Sequence, residues 1–187
     1  LNRRLIRSII LLMLYALAQS GGKAIAKTEK ELFLSIEKMY EMYLYCMSVM
    51  TYIRDVAEQK IEDNKKKRLP TEEDLNPNMR FVDNRFLKQL DANNSLKSAS
   101  EKKKVSWTGE GELMRKFYRT LLETEEYKGY MSSDKDSYSN DREVAIRFFK
   151  RHLINQDAFQ TFFDEKSIFW ADDLDIVASM TIKTFKS

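Results

Sequence analysis

Three arginines near the start of the chain are the side chains whose type and spacing suggest chemistry most directly. In a helix, Arg3 and Arg7 share a face because they are four residues apart, and Arg4 adjoins Arg7. A guanidinium group can hold a phosphate through two parallel hydrogen bonds. Cations at a helix start also oppose the helix dipole, which favours an anionic partner. The alternative is that they only solubilise the end of an apolar helix.

The other candidate chemical groups do not form a recognisable active site. His152, the only histidine, lies beside apolar residues and is typical of a packed or surface histidine. Asp172, Asp173 and Asp175 could be metal ligands, but the dipole alone favours carboxylates in the first turn of a helix. The chain also has no glycine-rich phosphate loop and no nucleophile elbow. We therefore predict a protein that is not an enzyme and that uses no metal or cofactor.

The single cysteine limits the fold and the compartment. Cys46 excludes an intrachain disulfide framework and any cysteine-based zinc site, and it suits a reducing environment. We therefore expect a cytoplasmic protein.

The arginines lead into an apolar stretch that predicts a helix over residues 2–20, ended by Gly21 and Gly22. Apolar residues fall on every face, so neighbours should wrap this helix as a central element. Basic residues, an apolar run and an Ala-Leu-Ala triplet are also typical of a secretory signal peptide. A membrane span is disfavoured, because residues 8–18 give about 16 Å of helix and a bilayer core needs about 30 Å.

Composition predicts the rest of the architecture. The 187 residues include only five glycines and two prolines, and no region alternates as a strand would. We therefore predict an all-α, multi-helix bundle organised around the apolar N-terminal helix and a long second helix. The second helix should open with a capping box at Thr28 and Glu31 and end near Lys67, with residues 39–52 in the core.

Charge is unevenly distributed along the chain. The net charge is only +3, yet residues 1–27 carry five basic side chains and no acidic one. This local excess again indicates an anionic partner.

The remaining chain predicts shorter helices joined by polar connectors. Residues 95–104 have little to bury and predict an exposed loop. The other predicted features are N-caps at Thr71 and Asn76, a short helix carrying Phe81 to Leu90, a helix capped by Thr108, another capped by Asp141, one beginning at Asn155 or Asp157, and a last one over 171–185.

The N-terminal residues resemble the first helix of the NusB family of bacterial transcription antitermination factors. The resemblance rests on Arg3-Arg4-Leu5-Ile6-Arg7, Leu14-Tyr15-Ala16 and Gln19-Ser20, which we call the NusB-like motif. Further stretches are similar to the extended form of the family, in which a long helical insertion follows the first helix. These stretches are ELFLSIEKMYEMYLY, KRLPTEEDLNPNMRFVDN, SIFWADDLDIV and MTIKT.

The resemblance implies an all-helical protein that binds the boxA element of nascent RNA during ribosomal RNA transcription. It also implies pairing with NusE, the small-subunit ribosomal protein that acts in antitermination. Arg3, Arg4 and Arg7 would bind RNA, and Tyr15 would lie near the partner interface. The Val-x-Ile-Asn-Glu-x-Ile-Glu-x-Ala-Lys segment of the family is absent. We therefore expect one all-helical region over 1–187, with helix 1 at 2–20, an insertion at 28–187 and no C-terminal NusB domain.

Three alternatives follow from the same residues. Residues 28–187 could be a helical protein-interaction module that docks a partner through exposed aromatics, without RNA. The chain could be an exported helical domain with an uncleaved leader. The apolar first helix could also pair with a second copy, which would give a homo-oligomer.

Overall fold

A computed structural model of the chain describes residues 3–19, 25–167, 170 and 173–187. The structure is 78% helical and none of the described residues lies in a strand, which confirms the predicted all-α, multi-helix bundle. A π-helical turn, Phe149–Leu153, continues the eighth helix. The helices are α1 Arg3–Gln19, α2 Ile25–Lys65, α3 Glu72–Leu75, α4 Arg85–Asp91, α5 Asn94–Lys103, α6 Gly111–Glu123, α7 Glu125–Ser132, α8 Tyr138–Phe148, α9 Asp157–Lys166 and α10 Leu174–Lys186.

The chain divides into two compact units. The first is Leu1–Tyr40 and contains α1 and the beginning of α2. The second is Glu41–Ser187 and contains the rest of α2 together with α3 to α10.

The core of the second unit contains the later half of α2. Met42, Cys46, Met50 and Ile53 are fully buried there. These residues recur at helical spacing, so one face of α2 is removed from water over several turns. The prediction that residues 39–52 belong to the core holds for most of that range, but Tyr40 is 43% exposed, and Met39 and Tyr40 belong to the first unit.

An aromatic cluster packs against this part of α2. The ring of Tyr45 contacts Trp107 edge-on at 5.1 Å and Phe162 at 5.4 Å between centroids. The indole Nε1 of Trp107 donates to the backbone carbonyl of Tyr45 at 3.1 Å, which satisfies its buried N–H group. Edge-to-face packing of this kind stabilises a core beyond the area that it buries.

The prediction that neighbours wrap the first helix on every face is wrong. Leu11, Leu14 and Tyr15 of α1 are 68%, 56% and 64% exposed. An apolar pattern shows which surface of a helix could be buried, but it does not show how many other helices are available to cover that surface. Among the described residues of the Leu1–Tyr40 unit, the first part of α2 is the one other helix that can cover α1.

Two predicted N-caps have other roles. Thr28 lies inside α2, which already begins at Ile25, and Asn76 is the C-cap of α3 rather than an N-cap. The N-cap at Thr71 is confirmed, because its side chain and that of Asp74 form a reciprocal capping box. The long second helix is also confirmed and ends at Lys65.

The predicted loop over 95–104 is wrong, because α5 occupies Asn94–Lys103. The side chain of Asn93 accepts a hydrogen bond from the amide of Leu96 at 3.0 Å and caps the helix. The helix ends at Lys103, and its C-cap Lys104 has a left-handed φ of 55°. No residue of α5 is buried, so its charge-rich composition correctly indicated exposure but not conformation.

The later helix starts differ from the predicted ones by a few residues. α6 follows Glu110 rather than Thr108, and Ser137 rather than Asp141 caps α8. The predicted start at Asp157 is confirmed for α9. The last helix begins at Leu174, and residues 171 and 172 of its predicted start lie outside the described residues.

Candidate nucleic-acid interface

All three predicted RNA-binding arginines lie in the first turns of α1. The helix has no acidic residue in its first turn, and Arg7 is exposed. No described carboxylate forms an ion pair with Arg7. The side chains of Arg3 and Arg4 lie outside the part that the structure describes. Arg7 is therefore positioned to hold an anion from solution.

Arg7 begins an exposed ridge along α1. Leu11, Tyr15 and Gln19 follow at four-residue steps, and all are exposed. The Nε2 of Gln19 donates to the hydroxyl of Tyr15 at 3.1 Å. We call Arg7, Leu11, Tyr15 and Gln19 the α1 ridge. A guanidinium group at one end and an open aromatic ring further along are the groups that hold phosphates and stack on unpaired bases.

An apolar groove lies beside the ridge within the first unit. Its volume is about 260 Å³, and α1 supplies Ile10, Met13, Leu14 and Leu17 while α2 supplies Leu32. Two exposed apolar side chains of α1, Ile10 and Leu14, therefore belong to a concave surface rather than standing singly.

His152 has a structural environment. Its ring stacks on Phe148 with centroids 5.9 Å apart, and its Nε2 lies 3.2 Å from a carboxylate oxygen of Glu126. A backbone hydrogen bond and the neighbouring Arg151 hold the pKa of Glu126 below its usual value. The interpretation of His152 as a packed histidine fits this geometry.

Two of the three aspartates near the last helix lie in the part of the chain that the structure describes. Asp173 is the N-cap of α10 and Asp175 lies in its first turn, while Asp172 lies outside the described residues. Within the described ranges, no three His, Cys, Asp or Glu side chains come together as metal ligands.

A buried polar network joins α4, α7 and α8, and no sequence pattern indicated it. Asp141 accepts from Nε of Arg85 at 2.8 Å and from the hydroxyl of Tyr130 at 2.8 Å. The amide of Asn84 donates to the backbone carbonyl of Asp141, also at 2.8 Å. The guanidinium of Arg80 lies over the Tyr130 ring at 4.6 Å. These contacts hold α4, α7 and α8 together.

A second basic surface lies in the Glu41–Ser187 unit, which sequence reasoning missed. It is a groove of about 520 Å³ on α8, the π-helical turn and the end of α10. We call it the basic groove. The four cations clustered within residues 142–151 were visible in the sequence, whereas the contribution of Lys186 from α10 comes from the fold. Its cations are Arg142, Arg147, Lys150, Arg151 and Lys186, beside the single carboxylate of Glu143.

Comparison with known proteins gives no match to any family model, curated protein or solved structure. Separately, none of the helices in the described ranges combines the length and the apolar character needed to cross a bilayer.

Proposed function

We propose that this chain is the helical N-terminal part of a non-enzymatic, RNA-binding antitermination factor of the NusB type, acting in the cytoplasm on a boxA-like RNA element. One observation carries the proposal: Arg7 and Tyr15, two residues of the NusB-like motif, are both exposed on the α1 ridge. Their exposure supports a role in contact with a partner, because a core helix would have buried Tyr15. NusE is the protein partner that the resemblance suggests.

The physical basis of the proposed binding is electrostatic. Arg3, Arg4 and Arg7 would neutralise backbone phosphates and release counterions, which makes affinity fall steeply with salt. Arginines alone do not read a sequence, since that requires unstacked bases and contacts to their edges. Tyr15 would supply a stacking surface further along the ridge. We therefore expect modest affinity from residues 1–187 and a strong dependence on ionic strength.

The test is the affinity of the 187-residue chain for a boxA-like RNA, measured by fluorescence anisotropy at several salt concentrations. Replacing Arg3 and Arg7 with alanine should weaken binding and lower the salt slope by about 1.4, at about 0.7 for each lost single-strand phosphate contact.

The matched control is Arg115→Ala with Arg119→Ala. These two arginines are also four residues apart on a helix, both are exposed, and their removal lowers net charge equally. The control should leave affinity and slope unchanged. If both double variants weaken RNA binding equally, the affinity depends only on net charge. The assignment of RNA binding to α1 is then refuted.

Exposed aromatics favour a second candidate, a helical protein-interaction module. Phe33 and Tyr40 of the first unit are 62% and 43% exposed, and Tyr138 of the second unit is 38% exposed. Rings of this size at a surface are typical of protein interfaces. Capture from native lysate with and without RNase separates the candidates, because RNase would release partners held through RNA and leave directly bound proteins in place.

A further inference from the structure

The basic groove is lined by more positive side chains than negative ones. Arg147 pairs with Glu143 at 2.5 Å, and Arg151 pairs with Glu126 at 2.9 Å. In the described part of the chain, neither Lys150 nor Lys186 has a carboxylate within ion-pair distance. The groove therefore keeps an excess of positive charge that no carboxylate among the described residues neutralises.

The backbone fixes these cations on two converging elements. Nη1 of Arg142 donates to the backbone carbonyl of Lys186 at 3.3 Å, which ties α8 to the end of α10. Lys150 and Arg151 lie in the π-helical turn, a local widening of the helix that often occurs at functional sites. The positive charges are thus held by folded elements rather than by a mobile loop.

The spacing of the cations distinguishes a polymeric ligand from a single anion. Arg142, Arg147 and Lys150 follow one another at roughly one helical turn, about 5–8 Å along the axis. A row of positive charges at this interval suits the regularly repeated phosphates of a nucleotide strand. A membrane surface fits less well, because the only apolar residue lining the groove is Ile146, which is 9% exposed.

We propose that the basic groove binds the phosphodiester backbone of single-stranded RNA without reading its bases. The inference rests on the proposed function and deepens it, since the RNA held here would be the strand that flanks the boxA-like element. No described aromatic residue lines the groove, and the ring of nearby Tyr138 has the Arg142 guanidinium 6.0 Å from its centroid, so it faces a cation rather than an open stacking site. Binding in the groove would therefore add affinity but no sequence preference.

The experiment compares two RNAs on the 187-residue chain: the boxA-like element alone, and the element with a single-stranded uridine tail. The variant is Lys150→Glu with Lys186→Glu, at two exposed positions. The unaltered chain should bind the tailed RNA on the order of tenfold more tightly than the bare element. The variant should lose this gain and bind the bare element as before.

The matched control is Lys102→Glu with Lys116→Glu, which lie on α5 and α6 and are exposed. Each double variant lowers the formal net charge from +3 to −1, so a general charge effect would act on both equally. The control should keep the tenfold gain. Circular dichroism and the urea midpoint of each variant confirm that both remain folded.

The groove assignment and the proposed function are contradicted by different experimental outcomes. The groove assignment is overturned if the tail adds no affinity, or if both double variants lose the gain from the tail equally. The groove would then be assigned to an acidic protein partner instead of RNA. Arg3→Ala with Arg7→Ala tests the proposed function separately, because it should weaken binding of the bare element and preserve the gain from the tail. If that variant binds the bare element normally, the role of α1 is refuted whatever the groove does.

Discussion

The carboxylate of Asp141 accepts two hydrogen bonds on one oxygen from the same residue, Arg85. Nε of Arg85 donates to Oδ2 at 2.8 Å, and the backbone amide of Arg85 donates to it at 3.1 Å. Asp141 is only 3% exposed, so this charge is stable inside the protein because donors surround it. The pair joins the start of α4 to the first turn of α8.

Asp141→Asn should destabilise the protein by about 2 kcal/mol, since the buried side chain that accepts from Arg85 and Tyr130 loses the charge that strengthens both hydrogen bonds. The measurement is urea unfolding followed by circular dichroism. Asp136→Asn is the control, because Asp136 also pairs with Arg85 but its side chain is 83% exposed. That change should cost about 0.5 kcal/mol or less. Equal losses in the two variants would contradict the network.

The stabilising effect of Asp141 should depend on pH. Burial raises the pKa of Asp141, but hydrogen bonds from Arg85 and Tyr130 outweigh burial and hold the pKa below its usual value of 3.8. A carboxyl group with a depressed folded-state pKa stabilises the protein above its unfolded pKa, and this contribution is lost as pH falls through the folded pKa. The free-energy difference between the native chain and Asp141→Asn should therefore narrow below about pH 4.

Urea midpoints of both proteins, taken from about pH 6 downward to about pH 3, measure this narrowing. A difference that stays constant over the whole range would show that Asp141 does not gain its stability from ionisation.

Much of the fold was predictable because helix periodicity and Pro70 mark α2 locally. The N-cap of α8 could not be predicted, since Ser137 and Asp141 are both good N-cap residues and only one of them can cap the helix. Asp141 does not cap α8 because its carboxylate accepts a hydrogen bond from Arg85, which lies 56 residues earlier in the chain. α5 was missed for the opposite reason: its helix depends on local propensity and the Asn93 cap rather than on burial.

The candidate site was predictable to a similar extent. The motif places Arg7 and Tyr15 on one helix, and their exposure follows from too few neighbours around α1. The basic groove required the fold, because Lys186 reaches α8 only through the packing of α10.

The thiol of Cys46 should be unreactive in the native protein. The residue is fully buried, and burial raises the pKa of its thiol while a hydrogen bond with Thr181 offsets this only in part. The reactive thiolate is therefore scarce and shielded at neutral pH. Labelling with a chromogenic disulfide reagent should be at least about a hundredfold slower than in denaturing urea, because it requires opening of the core. Comparable rates would show that this face of α2 is open.

The cap of α5 gives a prediction that separates local from global stability. Because no residue of α5 is buried, its amides should exchange with solvent through local opening rather than through global unfolding. Asn93→Ala removes the acceptor for the Leu96 amide and should cost about 1 kcal/mol. Amide exchange within 94–103 should then accelerate about fivefold, and these amides should remain far less protected than those of the buried part of α2.

Ser95→Ala is the matched control, because Ser95 is exposed in the first turn of the same helix but does not cap it. It should leave exchange within 94–103 close to that of the unaltered chain. If the amides of 94–103 already exchange at unfolded rates in the unaltered protein, α5 is not a stable helix in solution. The charge-rich composition would then have indicated the conformation of this segment correctly, since local propensity and one cap would be too weak to hold a helix that buries nothing.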